Sequence, residues 1–336
     1  MPFHCDDPRT LRWSLETLEE LLPIAQDPDN PLVELVPTVL LQKQHQGPTV
    51  DDFASYPYQK MAGNSTQVDA LPTWSHDSRL HFQHMTTEML LWQNLVYGLR
   101  LPRDLDQHYP HAYFFQTPIV HTTAMLEHLL SVVADQADVQ VETGHYYQSI
   151  DEMRQEAADL GCDAVVNCTG LGSRRLLGDN TLVGARGVTL LYDRATAHRL
   201  PSVLDTANGE NRHDVCILTE DEPWGSVDYP SYLIPRGDVL VVGGSYLEGD
   251  EEAELRPEER ERLLANARRL GIDTDKSEPI AEWTGFRPYR PTMRCEMDAE
   301  YAGDSIRVFH NFGTGGSGWT VNVGAAKECA SLVVQR

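Results

Sequence analysis

The apolar positions of this chain recur at two spacings, which change from segment to segment. Leu11, Leu15, Leu18 and Leu22 fall three or four residues apart and predict an amphipathic helix. Asp7-Pro8 ahead of them reads as an N-cap followed by proline at the first helical position. Thr122 to Val133 predicts a second helix, with Met125, Leu126, Leu129, Leu130 and Val133 on one side. Pro257 to Leu270 predicts a third, which Gly271 can end, and Thr320 to Val334 a last one. Asp163-Ala164-Val165-Val166-Asn167-Cys168 reads as a buried strand of the parallel type, stopping abruptly at Thr169-Gly170. Strand patterns also cover Val139 to Glu142 and residues 186–192, 214–219, 231–235, 238–246 and 306–312. Residues 28–112 scatter Pro, His, Tyr and Trp and predict short strands and loops. The fold class expected is mixed α/β.

Size and charge narrow the picture. At 336 residues the chain exceeds the usual single core, which predicts one large or two interleaved domains. Against 27 Lys and Arg stand 51 Asp and Glu, a net charge of −24 spread along the chain. That balance argues against nucleic acid and against an anionic membrane surface as partners. No apolar run approaches a membrane span. Met1 leads into Pro2-Phe3-His4-Cys5-Asp6-Asp7, which does not read as a signal peptide. Val333-Val334-Gln335-Arg336 is not a peroxisomal address. The six cysteines form no C-x-x-C and fit no zinc spacing, so an intracellular protein with reduced, mostly buried thiols is expected. His81 and His84 have no third ligand at metal spacing, and no metal site is predicted.

Two stretches near the C-terminus carry the candidate chemistry. Thr284-Gly285-Phe286-Arg287-Pro288-Tyr289-Arg290-Pro291 sets an arginine between glycine and prolines that stiffen the backbone. Such an arginine is a planar, two-pronged donor for a carboxylate. His310-Asn311-Phe312-Gly313-Thr314-Gly315-Gly316-Ser317-Gly318-Trp319-Thr320 is a glycine loop between a strand-like run and a helix. Free N–H groups at a helix start favour an anion or an electron-rich ring. Gly313, Gly315 and Gly318 formally fit G-x-G-x-x-G. Only 18 residues follow Gly318, too few for the next strand of a βαβ unit, so this is not the first turn of a dinucleotide fold. The loop either closes late on a cofactor held mainly elsewhere or is a structural turn. Thr169-Gly170 offers the same choice between ligand-facing amides and a plain turn.

The order of these pieces is more specific than any one of them. Asn167-Cys168-Thr169-Gly170, Arg186-Gly187, Tyr232-Leu233-Ile234-Pro235-Arg236, Thr284-Gly285-Phe286-Arg287-Pro288 and His310-Asn311-Phe312-Gly313 with Gly315-Gly316 follow one another. In that order they closely resemble the D-amino acid oxidase family, flavoenzymes that include D-aspartate oxidase. The resemblance covers essentially the whole chain and is strongest from Asp163 onward. It implies FAD in a Rossmann-like domain, expected at 1–30 with 121–180 and 288–336. A strand-rich substrate domain is expected at 31–120 with 181–287.

The resemblance also implies site residues. Arg287 and Tyr232 would be the catalytic pair that holds the substrate carboxylate. Gly316 would accept from the substrate amine through its carbonyl, and Tyr229 would be the second substrate-binding tyrosine. Tyr147, Thr169 and Gly170 would touch the cofactor. Gly315, Gly316, Ser317, Gly318, Trp319 and Thr320 would lie along the flavin ring and ribityl chain. The implied reaction converts a D-amino acid to a 2-oxo acid, ammonia and hydrogen peroxide, by hydride transfer to flavin with O₂ as acceptor. No protein base is required if the amine is neutral when the hydride leaves, so the catalytic residues orient rather than transfer protons. A D-aspartate or glycine/sarcosine-type oxidase is the alternative within the class, and a non-catalytic remnant of the fold the alternative outside it. A homodimer and a cytoplasmic or peroxisomal location are compatible with the resemblance.

Three departures from the family pattern stand out. Tyr229 is one position off the spacing of the second active-site tyrosine, and Asp228 takes the aligned place. Thr314 stands where many relatives have histidine. Residues 1–60 contain no strand, glycine turn and acidic residue of the kind that binds the adenosine half of FAD. The last departure predicts weak FAD binding by this chain and an apolar sheet edge left open.

Overall fold

In the computed structural model, which describes residues 7–27, 29–43, 78–87, 101–102, 105–199, 202–204 and 212–335, the N-terminal helix forms, but of its leucine stripe only Leu22 is fully buried. This helix, α1 (Thr10–Gln26), buries Thr10, Trp13, Ser14, Thr17 and Leu22, while Leu11 is exposed. The reason is its partner, the C-terminal helix Gly318–Val334. A Cβ on Gly324 would sit 2.3 Å from the Trp13 Cα, so the two backbones approach too closely for leucines between them. The start also differs. Asp7 caps Arg9 by accepting its amide at 2.9 Å, and the helix begins at Thr10 rather than at Pro8.

The remaining helices are α2 (Leu105–His108), α3 (Thr122–Ala134), α4 (Ile150–Asp159), α5 (Gly172–Leu177), α6 (Pro257–Arg269) and α7 (Gly318–Val334). The strands are β1 (Val33–Gln42), β2 (Gln83–Thr86), β3 (His111–Val120), β4 (Ala164–Asn167), β5 (Val183–Asp193), β6 (Ser202–Leu204), β7 (Arg212–Asp214), β8 (Cys216–Thr219), β9 (Ser231–Arg236), β10 (Val239–Gly243), β11 (Leu247–Glu248), β12 (Ala281–Met297) and β13 (Arg307–Thr314). The fold class is mixed α/β, as expected.

One mixed sheet organises the molecule in the order β2-β3-β1-β8-β9-β10-β5-β12-β13-β4, with β11 added beside β5. Two neighbouring pairs are parallel, β1 with β8 and β13 with β4; the others are antiparallel. One apolar core packs Val188, Leu190, Leu233, Leu240 and Val242 of the sheet against Leu263 and Ala267 of α6. A second packs Met293, Cys295 and Phe309 of β12 and β13 against Trp13 of α1 and Val321, Ala325 and Cys329 of α7. Arg186 of β5, fully buried, ties α6 to the sheet. It pairs with the Glu259 carboxylate and donates to the carbonyls of Glu252 and Glu254.

Two expectations need correction, and one long strand was not foreseen. Residues 28–112 hold, among their described positions, the ten-residue strand β1, paired along its whole length with β3 from Val33↔Val120 to Gln42↔His111. Residues 281–297 form one long strand, although Pro288 and Pro291 lie inside it. Val139 to Glu142 is not a strand, because no neighbour pairs with it among the described residues.

Among the described residues no strand pairs with the outer edge of β4. Val166 of β4 is 43% exposed, and on α3 only Met125 is buried. Leu126, Leu129, Leu130 and Val133, expected on a packed face, are exposed together with Val139 and Val141.

Candidate active site

The site forms where β5, β9, β10 and β12 run side by side. Arg287 on β12 is opposite Ala185 on β5, and Gly285 is opposite Gly187. The arginine side chain crosses the backbone at Gly187, where a Cβ would sit 2.3 Å from its Nη1. Glycine there is a steric requirement, which explains the Arg186-Gly187 motif. Arg287 Nη1 donates to the Ser245 carbonyl at 3.0 Å, and the guanidinium lies 5.3 Å from the centre of the Tyr246 ring. Fixed on one side in this way, the fork has no carboxylate partner among the described residues.

Tyr232 approaches from β9. Its ring lies over Gly243 and Gly244, where added Cβ atoms would sit 2.1 Å and 2.6 Å from the phenol. Burial pushes the Tyr232 hydroxyl above its ordinary range, and the charge and hydrogen bonding of Arg287 oppose that shift. The phenol is therefore a neutral hydrogen-bond donor at neutral pH, next to the arginine.

Tyr246 is the residue that sequence reasoning missed. It is buried, its ring meets Tyr289 edge-on at 6.2 Å, and its amide is held by the Asp228 carbonyl at 2.7 Å. Burial raises its hydroxyl strongly, while Arg287 and the Gly316 amide pull the other way. Tyr246 thus touches both the arginine and the glycine loop. The Gly243-Gly244-Ser245-Tyr246 run contained the available signal, since paired glycines at a strand end mark a close backbone approach.

The glycine loop follows β13. Gly313 and Gly315 take positive φ values of 92° and 54°, which carry the chain through the short turn Gly315–Ser317 into α7. Ser317 Oγ is buried and has no hydrogen-bond partner among the described residues. Thr169-Gly170 ends β4, the parallel neighbour of β13, in register with His310↔Asn167. The two turns therefore share the carboxyl edge of one parallel pair, where open α/β sheets bind ligands. Gly170 also faces the Pro288 ring, 3.9 Å from where its Cβ would be, so this edge adjoins the arginine.

A buried polar network supports that edge. Asn167 Oδ1 accepts the amide and hydroxyl of Thr169 at 3.1 and 2.8 Å, and its amide donates to Ser173. His310 Nδ1 lies 3.3 Å from Asn167 Nδ2, and His310 Nε2 lies 2.7 Å from the Asp298 carboxylate. Donation from Asn167 assigns the ring proton to Nε2, which then donates to Asp298. Burial lowers the His310 pKa in spite of Asp298, so the ring is neutral. The Thr169 amide is already engaged here.

The remaining expected residues are placed as follows. Tyr229 stacks under the Arg262 guanidinium of α6 at 3.6 Å, and no hydrogen bond or ring contact among the described residues joins it to Arg287, Tyr232 or Tyr246. Tyr147 presents its carbonyl to Arg175 at 2.7 Å. Trp319 packs its ring with Val33, Val120 and Met125. It and Thr320 therefore offer the loop their helix-start amides.

The glycine loop, the orphaned Ser317 hydroxyl and the start of α7 fit the isoalloxazine and ribityl end of a flavin, which needs backbone donors and close approach. Nothing comparable for the adenosine end occurs among the described residues.

The model of the family described as FAD dependent oxidoreductase matches residues 61–332. The chain belongs to that family, whose cofactor is FAD. It is 30% identical over 244 residues to a D-amino-acid oxidase of Rubrobacter xylanophilus, across 72% of this chain and 66% of that protein. It is 30% identical over 185 residues to D-aspartate oxidase 1 of Caenorhabditis elegans, across 53% of this chain and 48% of that one. The chain thus spans about half to two thirds of the length of these relatives. In fold it matches a glycine oxidase from Bacillus cereus with a TM-score of 0.56 at 12% identity, over 96% of this chain and 81% of that one. L-proline dehydrogenase from P. horikoshii gives a TM-score of 0.60 at 10% identity, over 98% and 80%. At those identities the likeness is one of fold. Among the described residues no helix is long and apolar enough to cross a membrane.

Proposed function

We propose that this chain carries the substrate site and the flavin-facing loop of an FAD-dependent D-amino-acid oxidase. The observation that carries the reading is the convergence of Arg287, Tyr232 and Tyr246 beside Gly316 of the glycine loop. Arg287 binds the substrate carboxylate through its guanidinium, and Tyr232 adds a neutral hydrogen bond. The Gly316 carbonyl accepts from the amine, which turns the α-C–H toward the loop. These residues orient the substrate and exclude water; none of them needs to take a proton. FAD, when bound, supplies the two-electron acceptor, and O₂ restores it. The overall conversion takes a D-amino acid, O₂ and water to a 2-oxo acid, ammonia and hydrogen peroxide. Gly315–Thr320 and Thr169-Gly170 hold the flavin end, and Tyr147 lies toward the adenine. Residues 1–30, 121–180 and 288–336 form the cofactor side, and 31–120 with 181–287 the substrate side.

A second reading, preference for an acidic side chain, has one observation in its favour. Arg236 follows Tyr232 and Ile234 on the same face of β9, and its charge interacts with the Tyr232 phenol. Among the described residues it has no carboxylate partner. The test is hydrogen peroxide formation from D-alanine, D-aspartate and L-alanine by the chain with FAD added in excess. Turnover of D-alanine over L-alanine supports the main reading. Faster turnover of D-aspartate that falls on Arg236→Ala supports the second. No turnover of any D-amino acid contradicts both.

A further inference from the structure

Two of the buried thiols lie in the same apolar cluster on opposite sides of one packing interface. Cys295 belongs to β12, the strand of Arg287, and Cys329 to α7, the helix that the glycine loop starts. They are 1% and 4% exposed, and both pack with Trp13, Met293, Phe309, Val321 and Ala325. Cys295 Sγ lies 3.5 Å from the Ala325 carbonyl. That carbonyl is one helical turn before Cys329 and accepts the Cys329 amide in a regular helix. Cys329 Sγ reaches back to the His310 carbonyl at 3.9 Å. His310 is next to Asn311, the residue opposite Cys295 in the β12–β13 ladder. Each sulfur is thus bonded to backbone beside the other.

We propose that Cys295 and Cys329 are an oxidation site, closing to an intramolecular disulfide when the protein meets a hydroperoxide. The neighbouring Cys295 thiol holds Cys329 below its ordinary range against the effect of burial, and Cys329 in turn raises Cys295. Cys329 is accordingly the sulfur that reacts first. Its thiolate attacks one peroxide oxygen, the O–O bond breaks and water leaves, giving a sulfenic acid. Cys295 then attacks the sulfenic sulfur. The S–O bond breaks, the Cys295 proton goes to the departing hydroxide, and a second water leaves. Two thiols and one H₂O₂ become one disulfide and two waters. The bond joins the strand of Arg287 to the helix behind the glycine loop, so it fixes the spacing of the two halves of the site. The proposal stands on packing and does not require the functional reading above, although that reaction would supply the peroxide.

The experiment is peptide mapping of the full chain after hydrogen peroxide, without reductant. Trypsin cuts after Arg294, Arg307 and Lys327, so Cys295 leaves on peptide 295–307 and Cys329 on 328–336. The expected result is a linked pair of these peptides, two hydrogens lighter than their sum, from monomeric protein. Denatured protein should show a loss of two of its six thiols. The link should vanish in Cys329→Ala and persist when the exposed Cys162 and Cys168 are both replaced by alanine. Recovery of 295–307 and 328–336 as free thiols, with Cys162 and Cys168 oxidised, would overturn the proposal. So would a link from 328–336 to the peptide of Cys162 and Cys168 alone.

Discussion

Replacing Arg287 by alanine is the most informative perturbation of the site. The side chain is half-buried, crosses Gly187 without an intervening side chain, and is fixed by the Ser245 carbonyl at 3.0 Å. Its reorganisation on binding a carboxylate is therefore small, and the loss falls on the ion pair itself. Truncating one partner of a hydrogen-bonded charge pair in a desolvated site costs about 2–5 kcal/mol. At 1.36 kcal/mol per tenfold, kcat/KM for D-alanine should fall roughly 30- to 5,000-fold. The larger share should appear in KM, because the carboxylate is bound in ground and transition states alike. Arg287→Lys should lie between, keeping charge and losing the planar fork. The assay is steady-state peroxide formation with FAD in excess. A fall of less than about fivefold, near 1 kcal/mol, would remove Arg287 as the carboxylate anchor.

Other perturbations separate the parts of the account. Tyr232→Phe should lower kcat/KM only modestly, because one neutral hydrogen bond of about 0.5–1.5 kcal/mol is lost; complete inactivation with folding intact would mean proton transfer through the phenol. Arg186→Met should cost about 3–5 kcal/mol in urea unfolding by leaving Glu259 buried and unpaired, and adding Glu259→Leu should recover most of it. His310 is held neutral by burial, with its folded pKa below the unfolded value near 6.5. Its contribution to stability is therefore full above about pH 6.5 and is lost as pH falls below that value. The urea midpoint should drop as the pH falls below about 6.5, and His310→Asn should flatten that part of the profile.

The parts legible in the sequence are those written in local chemistry. Arg287 stood out between glycine and prolines, and the glycine loop between a strand pattern and a helix pattern. The end of β4 was readable from Val165-Val166 stopping at Thr169-Gly170. The parts that were not legible depend on distant neighbours. The leucine stripe of α1 set the expected face, but the close approach at Gly324 turned Trp13 and Thr17 inward. Pro37 and Pro118 obscured β1 and β3, although the two prolines are accommodated in a ten-residue ladder. Val139 to Glu142 had a strand pattern and no neighbour to bond to. Tyr246 entered the site through a hairpin that brings it to Arg287, 41 positions later in the chain, and no local pattern records that contact.

The central claim is that this site, supplied with FAD, takes two electrons from a D-amino acid. Anaerobic titration isolates that step from O₂ chemistry. With FAD added in excess, D-alanine should bleach the visible flavin absorbance and L-alanine should leave it unchanged. The same titration of Arg287→Ala should need far more D-alanine. Unbleached flavin with every D-amino acid tried, on folded protein to which FAD is seen to bind, would contradict the account.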